Sequence, residues 1–394
     1  MNTRKVQDFV TKGREVYVGL EDSRKTWKIA VRCDRMLIHQ TTMPAKYEIL
    51  IQYLRNRFPE CAIHLIYEAG FKGFTLFDRL MEDGIDCTVI PPHLVTEPKV
   101  NRVKTDKRDA RRLALVLENH DFKEPCSVPD RERREDRQIS RSLWALQKDI
   151  VCVRNRIRKL LDFHGVETSF PDRWGKKEIE AIKELTLGDS LKLCLVTLIS
   201  QLEQLWAHRE RLQEALKVLC SKERYKKAIA IAASLPGIGW STAIRLVLEL
   251  GEDLTRFTSG KKIAGFVGLG CSEYTTGETE RKGHITGMGS GLLRMMLVES
   301  SWMAIRRDPV LLAKFTRIWK GRGSKKKAIV AVARMLIVRL GTCLVLNMPY
   351  DDQIGVQTKS LHGNGLVSMR YIQLWNDGVQ RSFRCGRWSR IRVC

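Results

Sequence analysis

Val16-Tyr17-Val18-Gly19-Leu20-Glu21-Asp22 is an apolar, β-branched run that stops on two acids. Such a run predicts a strand, Val16 to Leu20, with carboxylates at its end. Outward from it, Lys28 to Cys33 and Met36 to Met43 predict two more strands, their apolar residues set between turn-like polar ones. Lys46 to Phe58 has helical spacing through Ile49, Leu50, Tyr53 and Leu54. Ala62 to Tyr67 reads as a fourth strand, followed by Glu68-Ala69-Gly70. Gly73 to Met81 reads as a helix, and Cys87 to Ile90 as a short strand stopped by Pro91-Pro92. Asp106 to Leu117 is helical, with Leu113, Val116 and Leu117 on its buried side. Three strands, then helix, strand, helix, strand, helix, is an α/β order.

Four acids stand out in this part. Glu21 follows the first strand and Glu68 the fourth; Asp106 and Asp109 lie three apart at the start of a helix. Ends of adjacent strands in an α/β sheet share a rim, and helical residues three apart share a face. The four can therefore meet, and four carboxylates together need cations. Mg²⁺ is the natural one, because it takes hard oxygen ligands and keeps waters for a phosphate. Two such ions suit a phosphodiester exchange. The plainer reading is of solvated acids, with Asp106 capping its helix. Lys104, Arg108, Arg111 and Arg112 surround the aspartates and suit contacts with a nucleic-acid backbone.

Composition supports a polyanionic partner. The chain has 394 residues, 69 Lys plus Arg against 45 Asp plus Glu, and a net charge of +24. Nucleic acid leads as the partner, and an anionic membrane surface is the weaker alternative. No uninterrupted apolar run approaches the length of a membrane span, and Met1-Asn2-Thr3-Arg4-Lys5 lacks the apolar core of a secretory signal, so no membrane association is expected. Eleven cysteines occur without a Cys-x-x-Cys pair. That pattern fits reduced thiols in the cytoplasm and excludes a disulfide framework or a zinc site.

From Pro129 the character changes. Arg131 to Phe163 and Leu191 to Leu219 are two long, amphipathic helical patterns, readable as a coiled-coil or dimerisation arm or as a plain helical hairpin. From Ala228 a mainly helical domain follows. In it Leu235-Pro236-Gly237-Ile238-Gly239 precedes a helix, Ser241 to Glu249. The backbone N–H groups around Gly237 and Gly239 suit a nucleic-acid phosphate; an ordinary turn is the alternative. Gly283-His284-Ile285-Thr286-Gly287-Met288-Gly289-Ser290-Gly291 then leads into a helix, Leu292 to Ala304. Ser290 stands where that helix begins. It reads as an N-cap or, with Arg281, Lys282, His284 and Arg294 near in sequence to hold a phosphate, as a nucleophile. Lys325-Lys326-Lys327 begins an apolar helix. The expected divisions are 1–125 for the α/β domain, 126–225 for the helical region, 226–350 for the C-terminal domain and 351–394 for a basic tail.

These motifs, in order over roughly residues 15–345, resemble the insertion sequence 110 family of bacterial transposases, also called bridge-RNA-guided recombinases. The residues that carry the resemblance are Val18 to Glu21 with Lys25-Thr26-Trp27, Tyr67 to Gly70, Lys104 to Ala110, Leu235 to Gly239, Phe266 to Leu269, Gly283 to Arg294 and Ala328 to Arg334. The resemblance implies an RNase H-like (RuvC-like) N-terminal domain of the junction-resolvase type. It implies an acidic tetrad on Mg²⁺, placing Glu21, Glu68, Asp106 and Asp109 there, a helical dimerisation region, and a C-terminal domain whose catalytic serine is Ser290. In the family that serine forms a covalent phosphoserine with DNA. A structured non-coding RNA from the element pairs with donor and target double-stranded DNA, and the protein is a tetramer with sites composed from different subunits. The family's first acid is usually aspartate, whereas alignment on Lys25-Thr26-Trp27 puts Glu21 there and Asp22 beside it. Strand alternation lets only one of the two face the metals. Two other functions stay open: a metal-dependent nuclease or junction resolvase in which water attacks, and a catalytically decayed nucleic-acid-binding protein.

Overall fold

The structure, a computed structural model, describes residues 11–92, 106–122, 124–166, 174–252, 254–276, 279–321 and 323–350, with the backbone alone for 274–276 and 279–282. The chain forms two compact units, Met1–Pro129 and Asp130–Cys394.

In the first unit the expected α/β order holds. Strands β1 (Glu15–Asp22), β2 (Thr26–Cys33), β3 (Met36–Pro44), β4 (Ala62–Glu68) and β5 (Asp86–Ile90) form one sheet in the order β3-β2-β1-β4-β5. The β1–β2 and β2–β3 pairs are antiparallel; β1–β4 and β4–β5 are parallel. Helices α1 (Tyr47–Arg57) and α2 (Thr75–Glu82) cover one face, where Val16, Val18, Leu20, Ile29 and Leu65 pack with Leu50, Leu54, Leu76 and Leu80. Helix α3 (Asp106–Glu118) covers the other, with Leu113 and Leu117 on Ile66 and Ile90, and Ala110 and Ala114 on Ala30.

Gly19 lets α3 come this close. A Cβ there would lie 2.1 Å from the Ala110 carbonyl oxygen and 2.4 Å from the Ala114 nitrogen. At the far end of α3, Glu118 accepts from Arg32 Nε at 2.5 Å and from the Arg35 backbone N–H at 2.6 Å. Helix α3 therefore runs against the direction of β1, and its N-terminus lies over the ends of β1 and β4.

In the second unit, α4 (Arg131–Phe163) and α6 (Asp189–Ser221) pack side by side. Lys222, just beyond α6, bonds Glu132 and Asp136 at the start of α4, so the two run antiparallel. Ile150, Val153, Ile157 and Leu161 meet Leu195, Ile199, Leu202 and Trp206 between them, with α5 (Lys176–Lys183) adding Ile179 and Ile182. Within this chain the two long patterns form a helical hairpin. Its open end is tied to the rest of the unit by ion pairs: Glu249, 4 % exposed, accepts from Nε and Nη2 of Arg141 at 2.7 and 2.9 Å.

The rest is a bundle of α7 (Glu223–Ala233), α8 (Trp240–Leu250), α9 (Gly260–Phe266), α10 (Gly291–Ala304), α11 (Pro309–Lys320) and α12 (Lys325–Leu346), with a hairpin of β6 (Cys271–Thr276) and β7 (Thr279–Ile285). The sequence reading names no strand in this mainly helical domain; the hairpin ends at Ile285, ahead of the glycine turn through Gly287 and Gly289. A second correction concerns α12. It is long and apolar enough to cross a membrane by length and composition, because Arg334 and Arg339 interrupt the apolar run without ending the helix. Here it is the central helix of the bundle, buried through Ile329, Val332, Leu336, Ile337 and Leu340. Arg339, 1 % exposed, is neutralised inside by Asp308, with the Tyr350 hydroxyl beside both. The nine cysteines of the described residues are unpaired.

Candidate active site

Strand alternation separates the acids of the first unit. Tyr17 and Gly19 meet α3, so Glu21 projects to the same face. Ile66 also meets α3, so Glu68 does too. Asp109 and Asp106 sit in the first turn of that helix, half-buried and exposed respectively, so Asp106 is helical rather than an N-cap. Glu21, Glu68, Asp106 and Asp109 thus share one face of the sheet, at one end.

Asp22 points the other way. Its carboxylate, 8 % exposed, accepts from the Trp27 indole at 2.5 Å and from Lys72 Nζ at 2.6 Å, and Lys72 also bonds the Ser23 carbonyl. Asp22 holds the β1–β2 turn to the segment after β4. The partners of Asp22 were the part missed from sequence; a tryptophan five residues on was the available signal.

The four acids do not gather as tightly as their spacing suggested. The Arg112 guanidinium lies 3.5 Å from Glu68 and 3.6 Å from Asp109, and among the described residues no three His, Cys, Asp or Glu side chains converge as metal ligands. Arg112, expected on a phosphate, instead supplies positive charge between two carboxylates. The donor set still has the chemistry of a divalent-cation site, hard oxygens on one face, and Arg112 would compete with the ion for Glu68 and Asp109. Arg111 bonds Gln40 at 2.7 Å, Arg108 is exposed, and Lys104 lies outside the described residues.

In the second unit Ser290 caps α10. Its Oγ accepts from the Leu293 N–H at 3.3 Å, and its own N–H donates to the Phe266 carbonyl at 3.3 Å. Among the described residues the hydroxyl donates to nothing. The turn before it is built on glycine. Gly289 has φ +90°, and a Cβ there would lie 2.5 Å from the Phe266 oxygen and 2.7 Å from the Gly268 nitrogen. Arg294 donates to the Gly268 carbonyl at 3.2 Å, which holds that loop to the first turn of α10. His284 lies exposed in β7; Arg281 and Lys282 belong to the same strand, their side chains outside the described residues.

Leu235 to Gly239 joins α7 to α8. Gly237, with φ +79°, faces α10 so closely that a Cβ would lie 2.2 Å from the Ser300 oxygen. Packing accounts for this glycine. Gly239 differs: it is exposed at the start of α8, which has no side-chain cap. Its neighbouring N–H groups are the open ones of this turn.

Residues 34–165 match a family model of DEDD transposases of the IS110 type, and residues 229–316 match one described as the transposase IS116/IS110/IS902 family. The first match covers Glu68, Asp106 and Asp109 and begins after Glu21; the second covers the Leu235–Gly239 turn and Ser290. A putative transposase, y4rJ, of Sinorhizobium fredii is 29 % identical over 82 % of this chain and 90 % of its own. The transposase for insertion sequence element IS1533 of Leptospira borgpetersenii is 25 % identical over 83 % of this chain and 95 % of its own. The transposase for IS1111A of Coxiella burnetii is 24 % identical over 58 % and 62 %. The DEDD match implies an RNase H-like fold and, in general, use of a divalent metal, in keeping with the mixed five-stranded sheet and its acids. With two matches to one family, the first running from the first unit into the second and the other within the second, and relatives along most of its length, the chain belongs to the IS110 family and is a DNA transposase.

Proposed function

We propose that this transposase cuts and rejoins DNA through a covalent phosphoserine at Ser290, assisted by Mg²⁺ on Glu21, Glu68, Asp106 and Asp109. The observation that carries the reading is Ser290 itself: its oxygen accepts one helix N–H while its O–H is uncommitted among the described residues. Cap and nucleophile are compatible, since the helix end that orients the serine also attracts a phosphate.

In the first step Ser290 Oγ attacks a backbone phosphorus. The Oγ–P bond forms, a P–O bond to the departing nucleotide oxygen breaks, that oxygen takes a proton, and the serine proton is lost to solvent. In the second step the oxygen of another strand attacks the phosphoserine and restores the hydroxyl. One phosphodiester replaces another, so no external energy source enters. The N–H groups at the start of α10 stabilise the developing negative charge. Glu21, Glu68, Asp106 and Asp109 would hold Mg²⁺, which supplies charge neutralisation at the phosphate and the leaving oxygen. The net charge of +24 supports double-stranded donor and target DNA as partners. By family resemblance, a structured RNA from the element guides the choice of both, the active form is a homo-oligomer up to a tetramer, and the reaction takes place in the cytoplasm.

The test is incubation with element-end DNA, target DNA, element RNA and Mg²⁺, followed by denaturing electrophoresis. The wild type gives a protein–DNA adduct and Ser290→Ala gives none; no wild-type adduct, or an undiminished one from the variant, overturns the reading. The cap bond itself favours a second reading, in which water attacks and Ser290 only holds its helix. That reading predicts Mg²⁺-dependent cleavage that survives Ser290→Ala without an adduct.

A further inference from the structure

The helix that Ser290 caps carries exposed aromatic and thioether side chains farther along. Trp302 of α10 is 37 % exposed and Trp319 of α11 is 43 % exposed, and both rings rest on the buried Phe315, with centroids 5.7 and 5.9 Å away. Met295 and Met303 of α10 and Leu312 of α11 are exposed as well. Lys325, at the start of α12, places Nζ 4.8 Å from the centre of the Trp319 ring. Two indoles held against one phenyl ring, each more than a third exposed, are apolar exposure that a bundle of this size does not need.

Charge identifies the occupant. From Ser301 to Tyr350 the sequence has eleven Lys and Arg against one acid, Asp308. That acid is 3 % exposed and spent on Arg339 and Tyr350. Arg306, Arg307, Arg317, Lys320, Lys325 and Lys326 are exposed, and among the described residues none meets a carboxylate. Lys314, within α11, is pushed down from its usual range by burial, then by Arg317 and Arg334. A second copy of this face would meet like charge. Aromatic faces set among unpaired cations match unpaired nucleic acid, whose bases stack while its phosphates meet the cations.

We propose that Trp302 and Trp319, with Phe315 behind them and Lys325 beside them, form a stacking platform for single-stranded DNA. Trp302 lies twelve residues after Ser290, about 18 Å along the helix axis. The platform would therefore hold bases unpaired a few nucleotides from the phosphate that the serine attacks. Only the choice of DNA over RNA rests on the serine reading. Binding needs no cleavage, so Ser290→Ala tests that reading and leaves this one intact.

The experiment is fluorescence anisotropy of the full-length protein with a labelled 20-nucleotide oligothymidylate, a duplex of equal length, and an oligouridylate. Trp319→Leu and Trp302→Leu are each expected to weaken oligothymidylate binding roughly tenfold. The duplex is expected to change less than twofold, and Trp319→Phe to retain most of the affinity. Photocrosslinking of wild type to bromodeoxyuridine DNA, with the adduct mapped to the peptide holding Trp302 or Trp319, reads the same contact without a variant. Unchanged oligothymidylate binding with no crosslink on either peptide overturns the proposal. So does equal loss on the duplex, a preference for oligouridylate through the same tryptophans, or loss of self-association in place of binding.

Discussion

Gly19→Ala is the most informative single change in the first unit. The added Cβ would sit 2.1 Å from the Ala110 carbonyl oxygen, 2.4 Å from the Ala114 nitrogen and 3.0 Å from Leu113 Cβ. Two of these atoms are backbone, so no rotamer change relieves the clash. Helix α3 must rise by roughly 1 Å, a gap that forfeits a quarter to a half of each contact it opens. The contacts at risk are those of Ala110, Leu113, Ala114 and Leu117, all buried. Overpacking against a fixed backbone costs about 3 kcal/mol, at the upper end of its usual range. For a unit of this size that is a fall in melting temperature of about 10 °C. Function should suffer more than stability, because α3 carries Asp106 and Asp109 away from Glu21 and Glu68. A 1 Å displacement of reacting groups costs about a hundredfold in rate. The assays are calorimetry and Mg²⁺-dependent strand exchange. Ala110→Gly should not rescue the variant, since the clash is with the carbonyl and not the methyl group. A Gly19→Ala protein that melts within 2 °C of wild type, or a rescue by Ala110→Gly, would refute the reasoning.

Glu21→Gln should abolish strand exchange with little change in melting temperature, whereas Asp22→Asn should lower the melting temperature and leave most activity, because Asp22 faces Trp27 and Lys72; the opposite pattern in a paired assay would make Asp22 the first acid. Glu249→Gln leaves the half-exposed Arg141 and the partly buried Arg137 facing a neutral group, and should cost about 2 kcal/mol in urea unfolding. Arg224, bonded to Asp130, holds that carboxyl well below its usual range, and the Arg133 N–H adds to the effect. A carboxylate depressed on folding stabilises above its unfolded value of about 4 and loses that contribution as pH falls further. Melting temperature should therefore drop with acid below that value, and Asp130→Asn should flatten that part of the profile.

Most of the sheet was legible because its strands are buried: Val16, Val18 and Leu20, or Ile29 and Val31, announce themselves by apolarity alone. The β6–β7 hairpin was not, since its sequence has no apolar alternation to mark a strand, and Tyr274, Thr275 and Thr276 are held to Arg281, Glu280 and Thr279 by ladder pairing of the backbone. The choice between Glu21 and Asp22 needed one outside fact, namely which face of β1 carries α3. Gly19 supplies it, but only once the contact with Ala110 is seen. Charges were legible and partners were not. Arg112 reads as a phosphate contact in a basic segment, yet the fold aims it at Glu68 and Asp109. Arg339 reads as an interruption in an apolar helix, and its counter-ion comes from thirty-one residues earlier. In both, a long side chain reaches across elements that the sequence keeps apart.

Ser290 poses the remaining problem, because loss of activity in Ser290→Ala alone does not separate chemistry from architecture. Alanine removes the nucleophile and also leaves the Leu293 N–H without its acceptor. Replacing an N-cap serine by alanine costs about 1 kcal/mol, and by glycine only a few tenths. Ser290→Gly is therefore the sharper variant. It lacks the hydroxyl, yet glycine serves as an N-cap and the site's φ of −75° suits it. If the hydroxyl attacks DNA, both variants lose the covalent adduct completely, while only Ser290→Ala shows a lowered melting temperature. If the serine is merely a cap, activity should follow stability, and Ser290→Gly should exchange strands nearly as well as wild type. Adduct formation by Ser290→Gly would end the nucleophile assignment, however well the acids of the first unit fit a metal.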